Sequence, residues 1–146
     1  MPVVSFKFDK ILVERKKELE APIKVNIDTK IVDIKQEDVP LAGGAKQLVL
    51  RFFYDYIVEY APNQAEIKMQ GNLVYYEPKA ELDEVMKEWK KSKKISPKVT
   101  RAVLNNVLMR CQIKALVLAQ DVNLPPHIRL PLLTASKKED KAEYTG

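Results

Sequence analysis

The chain has one cysteine and one histidine, Cys111 and His127, and together they could form a thiolate–imidazole pair for nucleophilic catalysis. The pattern around Cys111 points elsewhere. It ends the row Val99, Val103, Val107, Cys111, spaced four apart, and a cysteine in such a row acts as a small apolar side chain. One cysteine and one histidine also cannot build a zinc site of the usual kinds. Asp28, Asp33 and Asp55 are the carboxylates to weigh as acid and base, but they alternate with apolar residues on strand-like segments, where scattered charge is ordinary. The "AGGA" stretch, Ala42–Ala45, precedes a strand instead of opening a helix, so it does not suit a phosphate cradle. We therefore expect no enzyme, no cofactor and no metal.

A second kind of chemistry is carried by "KEWKKSKKISPKVTR", Lys87–Arg101. Lysines beside an aromatic residue can grip phosphates and stack a base, which makes Lys90, Lys91, Lys93 and Lys94 candidate nucleic-acid contacts. Trp89, however, completes an apolar face with Leu82, Val85 and Met86 at i, i+3, i+4 and i+7. A core tryptophan beside solvated lysines is the favoured reading. Residues 79–114 hold ten Lys/Arg against four Asp/Glu, so the net charge of +5 resides in this third of the chain.

The elements that would carry these residues read as four strands followed by two helices. "VVSFKFDKILVER" alternates Val4, Phe6 and Phe8 against Ser5, Lys7 and Asp9. "IKVNIDTKIVDI" sets Ile23, Val25, Ile27 and Ile31 against Lys24, Asn26, Asp28 and Lys30. "LVLRFFYDYIVEY" and "AEIKMQGNLVYYE" follow, joined by the tight turn "APNQ". A longer loop, "EDVPLAGGAK", precedes the third strand, and Gly43 and Gly44 in it can take positive φ. The short joints predict an antiparallel meander. Pro78 precedes the helix around Leu82–Trp89, and Ser96 and Pro97 cap a second helix running to about Asp121. Three prolines then make "NLPPHIRLPLL" an extended segment on a surface groove. We expect one domain over 1–133 and a disordered polar tail over 134–146.

Two features exceed what four strands and two helices can bury. The third strand is apolar on both faces: beside its core parity it carries Val49, Phe53 and Ile57, continued by Val74 and Tyr76 on the fourth strand. The second half of the long helix, "IKALVLAQ", is apolar nearly all round and is expected to be buried on more than one side. Excess apolar surface tends to find a partner. We expect self-association, or a surface that binds other apolar chains, at these residues. No window is a long uncharged apolar run: Val99–Val122 is interrupted by Arg101, Arg110 and Lys114, so no membrane insertion is expected. The absence of a signal-like N-terminus and of a cysteine pair predicts a cytoplasmic protein.

The order of pieces resembles the SecB family of export chaperones. "IKVNIDTKI" is similar to that family's second strand with its Asp-Thr step. "KQLVLRFFYDYIVEYAPNQAEIKMQGNLVYYE" is similar to its third and fourth strands, and the proline-started helix followed by "VNLPPHIRLP" is similar to its long helix and Asn-Leu-x-Pro segment. The resemblance covers about residues 4–132. It implies a homo-oligomer, a dimer or tetramer, of an α+β domain with both helices on one face of a four-stranded antiparallel β-meander, and an ATP-independent holdase that takes non-native polypeptide in apolar grooves, with Val39 and Leu41 beside them, and keeps it from aggregating or delivers it for export. The joint "KKELEAPI" is shorter than the family's, the tail has prolines where the family has a last helix, and this chain is basic where the family is acidic. The other reading is an oligomeric scaffold module that binds nucleic acid through its lysines.

Overall fold

A computed structural model of the chain describes residues 3–40 and 42–131. Leu41, the last two residues of the expected domain and the polar tail lie outside the described residues. The elements are β1 (Val3–Arg15), β2 (Lys24–Pro40), β3 (Lys46–Ala61), β4 (Ala65–Tyr75), α1 (Lys79–Ser92) and α2 (Pro97–Asp121), with a single 3-10 turn at Ala42–Gly44. The four strands form one antiparallel sheet, and the two helices pack on one of its faces.

The strand order is β1-β4-β3-β2, which corrects the expected meander. Strands β2, β3 and β4 do follow one another as hairpins, but β1 lies beside β4 at the far edge, giving Greek-key connectivity. The joint Lys16–Ile23 must cross three strand spacings, about 14 Å, and eight residues reach up to about 26 Å. The β3–β4 turn holds it there. Gln64 is buried; its side-chain oxygen accepts from the Glu20 N–H at 2.6 Å, and its amide nitrogen donates to the carbonyls of Glu20 and Ala61. The backbone adds a bond from Lys16 N–H to the Gln64 carbonyl at 2.8 Å.

The expected "EDVPLAGGAK" loop is mostly hairpin: Glu37–Pro40 pair with Val49–Lys46, and Ala42–Gly44 turn, with Gly43 and Gly44 both at positive φ. Two register slips fall in β1, at Val4 and Asp9, and one in β2, at Val32. An inserted residue reverses which side chains face the core. Val4 is therefore exposed and Val3 packs against the core in its place, while Ile34 takes over the inward position beyond Val32.

The core lies between the sheet and the helices. From β3 it takes Leu50, Phe52, Tyr54, Tyr56, Val58 and Tyr60, all essentially inaccessible. The Tyr54 ring stacks on Phe6 at 5.1 Å and its hydroxyl donates to the Lys7 carbonyl at 3.0 Å. Gly71 makes that reach possible: a Cβ there would sit 2.0 Å from the Lys7 oxygen and 2.5 Å from the Tyr54 hydroxyl. Both helices begin where expected, and the Ser96 hydroxyl accepts from the Val99 N–H as the N-cap. By length and hydropathy α2 could cross a membrane, but its Val103, Val107, Cys111 and Ala115 row is part of this core.

Candidate functional site

The second face of the sheet carries no element among the described residues. On β3 it presents Val49, Arg51, Phe53, Asp55, Ile57 and Glu59, in register with Val74, Asn72, Gln70 and Lys68 of β4 and with Glu37, Lys35, Asp33, Lys30 and Asp28 of β2. The apolar residues expected here are not equally available. Val49 and Val74 are buried, Phe53, Ile57 and Val39 are half-buried, and Tyr76, just past the end of β4, is exposed. Leu41 lies outside the described residues.

A polar line crosses this face through all four strands. The Arg51 guanidinium pairs with Glu37 on one side and donates to Asn72 Oδ1 at 2.5 Å on the other; the Asn72 amide donates to Asp9 Oδ2 at 2.7 Å. It separates Val49 and Val74, toward the β2–β3 hairpin tip, from Phe53 and Ile57. Phe53 is flanked by Lys35, whose Nζ lies 5.3 Å from the ring centroid, and Ile57 sits between Asp28 and Lys68. The result is an apolar stripe with charges of both signs on its borders.

The catalytic candidates do not converge there. Asp33 accepts from the Ile34 N–H at 2.8 Å, tying down the β2 irregularity, while Asp28 and Asp55 are spread along the face. Cys111 is buried on the opposite side of the sheet, where desolvation pushes its thiol up to about 12 despite a hydrogen bond with Tyr54. His127 is buried too, and burial lowers its pKa. Those directions are the reverse of what a thiolate–imidazolium pair requires.

Trp89 is buried in the core with Leu82, Val85 and Met86, as the spacing predicts. Lys93 ends α1 in a left-handed conformation, and its Nζ lies 5.1 Å from the Trp89 ring, so the indole is not free to stack a base. Lys90, Lys91 and Lys94 are exposed. Beside them, between α1 and the start of α2, is a cleft of about 420 Å³ with Tyr75, Val85 and Val99 on its walls and both Glu84 and Lys98 on its rim.

The long helix keeps apolar surface that the rest of the chain does not bury, in line with the expected excess. Within the chain α2 is buried on one side only. Met109, Ile113 and Val117, four apart, form an outward row, with Met109 64% and Ile113 63% exposed. Ile113 and Val117 fall in the stretch "IKALVLAQ" that the sequence shows to be apolar nearly all round, whereas Met109 precedes it. The sequence reading missed Gln64, the Arg51–Asn72 line and the burial of His127. The alternation of Arg51 and Asn72 with apolar neighbours was visible, but their meeting depends on cross-strand register.

No family profile and no curated relative matches the chain. Among solved structures, the chain is similar to a SecB-like chaperone of Mycobacterium tuberculosis determined in complex with a ChAD peptide from an antitoxin, with 10% identity and a TM-score of 0.40 over 92% of this chain and 91% of that one.

Proposed function

We propose that the protein binds non-native polypeptide without nucleotide, as a holdase, along the open face of its sheet. The observation that carries this reading is the half-buried pair Phe53 and Ile57 on a face left uncovered by the described residues. Apolar area held at a sheet surface gains about 25 cal/mol per Å² when a partner covers it. The borders of mixed charge tolerate many client sequences, and the likeness of the strand and helix motifs to the SecB family implies the same activity. The outward row of α2 supports homo-oligomerisation, since Met109 and Ile113 form an apolar surface of their own. The single free cysteine suits a reducing cytoplasm.

The test is light scattering of several unrelated denatured proteins on dilution. Suppression is expected at stoichiometric amounts without ATP, and the double variant Phe53→Ser, Ile57→Ser should lose most of it while keeping its fold by circular dichroism. Absence of suppression across the clients, or full activity in the double variant, would overturn the proposal. The same samples give the mass in solution, expected above that of one chain.

A further inference from the structure

The segment after α2 runs back over the helix-side core as a strap, held at three points. Leu124 is buried in the core, and its N–H donates to the Ala119 carbonyl at 2.8 Å. The Tyr60 hydroxyl donates to the Pro125 carbonyl at 2.5 Å. His127 is only 5% exposed, with its ring edge-on to Tyr56 at 6.3 Å between centroids. The third anchor is chemically unlike the others. Neither His127 nitrogen has a hydrogen-bond partner, and the Tyr56 hydroxyl beside it is also buried and unpartnered.

A neutral imidazole tolerates such a pocket; a cation does not. Protonation gives the ring two N–H donors and a charge, and the pocket offers one orphan phenol oxygen. The titratable groups that act on Tyr56, the ring's neighbour, are themselves uncharged near neutrality. Tyr56 and Tyr60 belong to β3, and Cys111 of α2 acts on Tyr56; burial raises all three. Burial is also what acts on His127 itself.

We propose that His127 is an acid-sensitive latch: its protonation releases the strap from α2's end and uncovers Tyr56 and Tyr60 on the helix side of the sheet. This device is separate from the open-face site. The sign follows from linkage. A base whose folded pKa lies below its unfolded value of about 6.5 holds the strap fully above that pH and loses its contribution as pH falls below it. For a ring that stays neutral in the closed strap across this range, the opening equilibrium rises about tenfold between pH 7.5 and 5.5.

His127 is the chain's one histidine, so its ring protons report without ambiguity. Proton NMR of the full chain should show them titrating below the ordinary histidine range, while the Leu124 amide, corrected for intrinsic exchange, loses protection about tenfold between pH 7.5 and 5.5. His127→Phe should abolish that pH dependence. Should this variant fail to fold, Tyr60→Phe removes a different anchor; it should raise opening at both pH values and keep the tenfold ratio. An ordinary or raised His127 titration, or the same loss of protection in His127→Phe, or a ratio near one in Tyr60→Phe, would overturn the latch.

Discussion

Strand β3 has two faces made from nearly the same kinds of residue and put to opposite uses. Phe52 and Phe53 are neighbours in sequence. Phe52 is fully buried, packed edge-on to Tyr75 at 5.5 Å and sealed by the helices. Phe53 faces the other way, half-buried, with Lys35 over its ring. The core face is continuous: Leu50, Phe52, Tyr54, Tyr56, Val58 and Tyr60 follow without a charge. On the open face Arg51, Asp55 and Glu59 interrupt the apolar residues. Apolar content alone therefore does not decide burial. What decides it is whether the polar groups between the apolar ones could be satisfied under a second layer. Arg51, Asp55 and Glu59 are the groups that a second layer over that face would have to satisfy.

The sharpest way to break this comparison is to truncate the two phenylalanines separately. Phe52→Ala should cost about 3–5 kcal/mol, the range for emptying a closed aromatic site. Phe53→Ala should cost about 1 kcal/mol or less, because its ring stays partly in water and leaves no sealed cavity. Urea denaturation of both variants measures the difference. Equal losses would mean that the open face is packed as tightly as the core, and the distinction would fall.

A smaller effect is expected from Arg51→Ala, which tests how the open face is kept in order. The variant leaves Asn72 Oδ1 without its donor at a buried residue, at a cost of about 1–3 kcal/mol. Loss of the Glu37 pair adds little, since that carboxylate is partly exposed. The companion variant Glu37→Gln should therefore change stability far less than Arg51→Ala. Similar values for the two would show the ion pair to matter more than the asparagine bond.

Much of this architecture was legible before any coordinates. Period-two alternation located β1 and β2, strand-like runs joined by the tight "APNQ" turn located β3 and β4, and the Ser96–Pro97 cap located the start of α2 to the residue. The doubly apolar character of β3 was visible as well. What alternation cannot carry is which strand lies beside which: β1 pairs along its length with β4, and the joint that follows it is held by Gln64 on the Glu20 backbone, a contact 44 residues apart in sequence. Nor can it carry the slips at Val4, Asp9 and Val32, each of which reverses parity with no glycine or proline to announce it. His127 was hidden for a related reason. Prolines on either side of "HI" describe an extended strap, but only the packing of that strap on Tyr56 makes the imidazole a buried group.

The finest difference between the two phenylalanines is the cation over one of them, and it yields a prediction in which stability and binding move in opposite directions. Lys35 stands on the edge strand β2, with its ammonium near the face of Phe53. At a solvent-facing site that contact contributes about 0.5–1 kcal/mol. Lys35→Ala should lower stability by no more than that. The same substitution uncovers the ring and removes a charge that an apolar client segment would have to displace, so affinity for an unfolded client should rise by a small factor, measured by fluorescence anisotropy of a labelled denatured peptide. A structural phenylalanine, present only to pack on its neighbours, would give the stability loss without any gain in binding. A client-contacting one must give both, because a bound client has to displace the favourable lysine–ring contact, and without the lysine there is no such contact to give up.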